Sequence, residues 1–239
     1  RSLGMTLANL DLIVETAARE AFRARTQLSD ALLEAAFETQ RFGEVRSRTP
    51  EAVRRTACHE AGHAILYWLA GFWPSYVTVV SRGRHGGYMD FSGEDRERQE
   101  SQTREELLAD IRACLGGRAA ELLCYGAAGG LSTGASQDLA QATDQAKRMV
   151  CCYGMDDAYG LLASPELLQS EAALSSPAYL RVNRAASRIL GEQMELAQQL
   201  LAQHRAHLDA VVAALAERER LGADDLRAIL PEDRQPPGG

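Results

Sequence analysis

Apolar residues recur along this chain at three- and four-residue intervals, and that period predicts a mainly helical protein. Leu7, Leu10, Ile13, Val14, Ala17, Ala21 and Phe22 line one helical face. A second helix is expected after Ser29, a residue type that caps helix N-termini, with Leu32, Leu33, Ala36 and Phe37 inward and Gly43 as its stop. Polar residues Glu44 to Arg48 read as a linker. Thr49-Pro50-Glu51 then gives a strong start signal: a hydroxyl cap, proline at the first helical position, and an acid at the positive end of the helix dipole. This third helix should run to Leu69 and stop at Gly71.

The period changes after Pro74. Tyr76-Val77-Thr78-Val79-Val80 is β-branched and aromatic, which suits a strand, and Gly83, Gly86 and Gly87 permit a tight return. One short sheet edge is expected there. Thr103 and Glu106 have the spacing of a capping box. The helix they open carries Leu107, Leu108, Ile111, Leu115, Leu122 and Leu123 across the Gly116-Gly117 step and ends at Gly126. Ala127 to Ala135 reads as a flexible loop, after which Ser136 is placed to cap a helix with Asp138 in its first turn. Two long helical patterns follow at 178–202 and 204–219, then a short one at 223–230, and Pro231 to Gly239 reads as a disordered tail.

A chain of 239 residues can bury one large or two small cores without needing a disulfide or metal to stay folded. Its 26 basic and 33 acidic residues leave a net charge of −7, so it lacks the positive field that gathers on phosphate backbones, and nucleic acid is not an expected partner. The longest apolar run, Ala64 to Trp73, is about half the roughly 20 residues that cross a bilayer, so no membrane segment and no export signal are expected in these residues. Cys58, Cys114, Cys124, Cys151 and Cys152 form no Cys-x-x-Cys pair. They are expected to be free thiols in a reducing compartment, not a disulfide framework or a thiolate zinc site.

The chemistry concentrates in His59-Glu60-Ala61-Gly62-His63, in the middle of the third helix. Residues four apart share a helical face with Cβ atoms about 5–6 Å apart, so the two imidazoles can grip one ion. Glu60 lies about 100° around the helix from His59, where a carboxylate can hold a water beside the metal and take its proton. The glycine and histidine that a metzincin would place at 66 and 69 are Leu66 and Leu69, which excludes that class. A third ligand must come from later in the chain. Glu121 and Asp138 are the two candidate acids, and spacing does not choose between them. His204 and His207 share a helical face without a third partner and read as solvated, and His85 reads as an exposed loop residue. Vicinal Cys151-Cys152 reads as half-buried packing.

Four ordered blocks resemble one known family. His59-Glu60-Ala61-Gly62-His63-Ala64 is similar to the zinc motif of the FtsH-type AAA+ metalloproteases, and Leu131-Ser132-Thr133-Gly134-Ala135-Ser136-Gln137-Asp138-Leu139 is similar to their second motif. Gly117-Arg118-Ala119-Ala120-Glu121, and Met149-Val150 followed by Tyr153-Gly154-Met155, match as well. The resemblance implies a zinc endopeptidase that degrades unfolded proteins, with His59, His63 and Asp138 as ligands to one Zn2+ per chain. Glu60 would be its catalytic base and Glu121 a supporting acid behind the ligands. It also implies that the segment Val77 to Gly87 is an edge strand receiving an extended substrate by backbone pairing, with Val77, Thr78, Val79, Val80 and Ser81 in contact.

Such enzymes are commonly homohexamers beneath an ATPase ring. The parent would be anchored in the cytoplasmic or an organellar inner membrane, with this part on the cytoplasmic side. Leu3 to Gly43 resembles only the last helices of an AAA+ lid, and no Gly-x-x-x-x-Gly-Lys-Ser/Thr stretch occurs, so ATP would act in a domain these residues do not contain. The expected division is 1–46 for the lid-like helices, 47–230 for a helical metallopeptidase domain with a small β-hairpin, and 231–239 for the tail. Ser81 departs from the proline usual before Arg82-Gly83, and Leu161-Leu162 lacks the proline often found after Gly160. A competing reading, a catalytically silent module that holds zinc only to order its assembly, gives no purpose to Glu60.

Overall fold

In the computed structural model, residues 5–82, 86–91, 102–168 and 176–231 are described. Thr6, Ser29 and Thr49 stand in extended backbone, and each side chain accepts a hydrogen bond from the backbone N–H three residues on. These caps open α1 (Leu7–Ala24), α2 (Asp30–Phe42) and α3 (Pro50–Leu69). Two compact units result, the first from the described residues of Arg1–Arg48 and Val80–Gly87, the second from those of Thr49–Val79 and Tyr88–Gly239.

In the first unit, α1 and α2 pair around Ile13, Ala17 and Ala36, with Leu10, Leu32, Leu33 and Phe37 packed against them. The apolar stripe of α1 is wider than α2 can cover, so Leu7, Val14 and Phe22 are exposed instead of inward. The segment entering from residue 80 is tied to this pair. Arg46 N–H donates to the Ser81 carbonyl at 2.9 Å, and Val45 and Arg82 form a β-bridge. The buried Arg82 guanidinium reaches Glu38 Oε2 at 3.0 Å and donates to Thr39 Oγ1 at 2.8 Å.

The second unit is built around α3, which is buried along most of its length because its apolar residues are not confined to one stripe. Ala57, Ala61, Ala64, Ile65 and Trp68 belong to a core completed by α5 (Gly116–Gly130), the C-terminal half of α7 (Pro177–Gln203) and α8 (Arg205–Arg218). A second cluster joins α4 (Arg104–Cys114) and α6 (Ser136–Cys151) to the first half of α7 through Ile111, Ala146, Met149 and Val182. Thr103 and Glu106 do close a capping box, each accepting from the other's backbone N–H. The single helix expected across the Gly116-Gly117 step is two helices, broken at Leu115.

A close approach lies beside the break. A Cβ on Gly62 would lie 2.3 Å from the Gly116 carbonyl oxygen, so only glycine lets α3 and α5 meet there. Gly126 turns the chain at φ 69°, as its position in the sequence suggests, but Ala127–Gly130 forms a helical turn and Thr133–Ala135 a 3-10 turn where a flexible loop is expected. Ser132 caps the 3-10 turn, and Ser136 is the first residue of α6 instead of its cap.

Three strands form one antiparallel sheet in the order β2-β1-β3: β1 is Pro74–Thr78, β2 is Tyr88–Phe91 and β3 is Arg220–Gly222. Val77 faces Met89 on one side and Leu221 on the other, and Thr78 faces Tyr88 and Arg220. This corrects the expected edge: β1 stops at Thr78 and is the central strand, because the C-terminal β3, too short to be read from sequence, occupies its second side. Val79 N–H then donates to the Glu219 carbonyl, while Val80 and Ser81 belong to the first unit. After α9 (Ala223–Ile229), the Pro231 carbonyl accepts from the Trp68 indole at 3.2 Å. The expected hairpin glycine at 83, His85, Leu3 and tail residues 232–239 lie outside the described residues.

Candidate metal centre

A four-residue spacing, close to one helical turn, brings His59 and His63 to the same side of α3, with their Nε2 atoms 3.1 Å apart. Asp138, in the first turn of α6, places Oδ2 3.1 Å from His59 Nε2 and 3.6 Å from His63 Nε2. A tetrahedral ion with bonds of about 2.0–2.1 Å sets its ligand atoms roughly 3.4 Å apart, so this triangle has the size zinc requires.

The other ring nitrogens fix which atoms face the triangle. His63 Nδ1 lies 2.7 Å from the Ala113 carbonyl, which can only accept, so Nδ1 carries the hydrogen. His59 Nδ1 donates in the same way to Glu121 Oε1 at 2.8 Å. The two Nε2 atoms and a carboxylate oxygen therefore converge on one point, which a proton shared between His59 and Asp138 can hold and a metal cation can take over. Among the described residues, His59, His63 and Asp138 are the one group of three or more such side chains whose donor atoms meet in this way.

The electrostatics follow from that crowding. Burial alone would lower the pKa of His59, but hydrogen bonds to Asp138 and Glu121 hold it up to about 10. Burial works against the charge of Asp138 too, and the two imidazoles overcome it, holding the carboxyl well below the usual carboxylate range. Glu60, 8% exposed, is shifted upward by burial despite the neighbouring His63 and His59. Burial of Glu121 is outweighed by hydrogen bonds from His59, Ser132 and Arg55, which keep it ionised.

Support for the histidines comes from residues the sequence pattern did not single out. Arg55, one turn before His59 on α3, donates to Glu121 Oε2 at 3.1 Å and to the Gly129 carbonyl at 2.9 Å, and its guanidinium lies over the Tyr125 ring. Its four-residue spacing from His59 was an available signal. The Ala113 carbonyl has none, since any residue supplies one. Gly117 is required by packing: a Cβ there would come within 2.4 Å of the His59 ring.

Of the five residues expected to contact substrate, Val77 and Thr78 are paired on both sides in the sheet, Val79 N–H donates to the Glu219 carbonyl, and Val80 and Ser81 belong to the first unit. His204 and His207 are not a solvated face, because both rings pack against the Trp68 indole at 5.6 and 5.5 Å between centroids.

The model of Peptidase family M41 matches residues 46–229. The chain is 35% identical over 238 residues to the ATP-dependent zinc metalloprotease FtsH 2 of Symbiobacterium thermophilum, covering 96% of this chain and 40% of that protein. It is 36% identical over 239 residues to the ATP-dependent zinc metalloprotease YME1L of Drosophila melanogaster, covering 97% and 32%. The ATP-dependent zinc metalloprotease YME1 homolog of Schizosaccharomyces pombe is 37% identical over 189 residues, covering 78% and 26%. The chain thus spans less than half the length of the curated relatives it matches.

Proposed function

The chain belongs to peptidase family M41, and we propose that it is the zinc endopeptidase module of an ATP-dependent protease that cuts unfolded or damaged proteins. His59, His63 and Asp138 would hold one zinc ion, and Glu60 would serve as general base. The observation that carries this reading is the convergence of two imidazole Nε2 atoms and a carboxylate oxygen on one point, next in the chain to a buried Glu60.

Zinc in such a site supplies Lewis acidity, polarising a carbonyl and bringing the pKa of a water to about 7. The chain's own residues do the rest. Glu60 accepts the proton of the attacking water and returns it to the departing amine, so that one carboxylate serves both halves of amide hydrolysis. Glu121 holds the His59 ring by its Nδ1–H, Arg55 holds Glu121, and the Ala113 carbonyl orients His63, so both rings are aimed before any ligand arrives.

The relatives are named ATP-dependent, and these residues carry no P-loop sequence, so energy-driven delivery of substrate belongs to other parts of the whole protein. That protein is read as a homohexamer at a cytoplasmic or organellar inner membrane. No helix among the described residues is long and apolar enough to cross one.

The test uses casein as an unfolded substrate. The purified chain is expected to cleave it, a chelator to stop cleavage, and Glu60→Gln to lose cleavage while keeping its zinc. Undiminished cleavage by that variant would remove Glu60 from the mechanism. Bound zinc with no cleavage by the unaltered chain would favour the silent assembly module.

A further inference from the structure

The contact between α3 and α5 continues past the metal centre to a second pair of side chains. Cys58 precedes His59 on α3, and Cys124 lies one turn beyond Glu121 on α5. Where His59 meets Glu121, Cys58 meets Cys124: their Sγ atoms are 2.6 Å apart, and both are free thiols. The Cys58 thiol also approaches the Ala120 carbonyl at 3.3 Å. The pair is held by the backbone itself, since the two helices are drawn together at Gly62 and Gly116, where no side chain fits.

A cavity of about 150 Å³ opens onto these sulfurs, lined also by Arg54, Arg205, Tyr125 and Asp209. Cys124 is the member a reagent reaches first, since it is only half-buried where Cys58 is 1% exposed, and Arg205 and Arg54 line the same cavity, where positive charge favours a thiolate.

We propose that Cys58 and Cys124 are a peroxide-sensitive pair that closes to a disulfide and staples α3 to α5 beside the metal centre. The Cys124 thiolate attacks one oxygen of a hydroperoxide, the O–O bond breaks, and the other oxygen leaves as water or alcohol after taking up a proton. The Cys58 thiol then attacks the resulting sulfenic sulfur, forming the S–S bond and releasing a second water. Two thiols are oxidised by two electrons and one peroxide is reduced. The two sulfurs are already in contact, so the bond needs little movement of either helix. Oxidation therefore leaves the metal ligands in place and tightens the helix pair that carries them.

The test treats the full chain, loaded with zinc, with hydrogen peroxide, blocks remaining thiols and maps tryptic peptides by mass. The expected product joins the peptide beginning at Thr56 to the one beginning at Ala119, two hydrogens lighter than the pair and separated by a dithiol reductant. The midpoint of thermal unfolding should rise by several degrees. Cys58→Ser should leave a sulfenic acid on Cys124 that dimedone traps, and Cys124→Ser should leave Cys58 unreacted. If either variant fails to fold by circular dichroism, the map of the unaltered chain decides alone. Both cysteines remaining thiols, Cys124 passing to sulfinic acid without a crosslink, or Cys124 pairing with Cys114, Cys151 or Cys152 would each overturn the proposal. This map gives the same answer whether or not the chain cleaves protein.

Discussion

Arg82 and Glu38 are as deeply buried as the groups around His59, yet the two clusters are built in opposite senses. In the first unit, opposite charges meet at 3.0 Å, and a hydroxyl and a carbonyl take further N–H groups of the guanidinium. Attraction between the partners offsets the cost of burying them, with the Arg82 Nε alone of the guanidinium nitrogens buried without a hydrogen bond among the described residues. Around α3 the outer ring nitrogens are satisfied by Glu121 and Ala113, while the inner atoms, His59 Nε2, His63 Nε2 and Asp138 Oδ2, gather on one point at the spacing of metal ligands. The lesson is that burial and charge alone do not mark a functional site. What marks the candidate site is the convergence of three donor atoms on one point.

The largest effect that would sharpen this contrast is on the ligand side. Asp138→Asn is expected to weaken zinc binding by more than about 100-fold, measured by competition with a chromogenic chelator, because it removes the only charged donor of the three. Glu38→Ala should cost about 3–5 kcal/mol in the first unit, the penalty of leaving Arg82 buried without its counter-charge. Hydrogen exchange of α1 and α2 would report it, and zinc content should not change. Loss of zinc with Glu38→Ala, or unchanged exchange, would dissolve the distinction between the clusters. Glu121→Gln is expected to reduce zinc affinity by about 10–100-fold, since the amide still accepts from His59 but no longer carries charge. Were it to exceed Asp138→Asn, the third ligand would be Glu121.

Much of the helical framework could be read from the chain because its signals are local. Ser29, Thr49 and Thr103 cap the helices they precede, and the His59 to His63 spacing requires only a helix to become a face. The candidate acids Glu121 and Asp138 both arrive at His59, on opposite ring nitrogens. That division of labour depends on where α5 and α6 are packed, and no spacing rule contains it. The sheet was less legible for the same reason. Tyr76 to Val80 has the composition of a strand, but whether it is an edge depends on Arg220–Gly222, three residues with no periodicity of their own. Gly116 and Gly117 read as an interruption and are instead the contact that lets a backbone and an imidazole lie against α5.

The pairing of β1 with β3 also bears on synthesis. The two strands are separated by most of the chain, and α8, just ahead of β3, supplies Leu208, Val211 and Leu215 to the core around α3. A nascent polypeptide halted at Arg218 would have its histidine helix made but the central strand only half clothed. Contacts of such long range close slowly and late. Loss of Arg220–Gly222, by truncation or a premature stop, would therefore be felt at β1, far back along the chain.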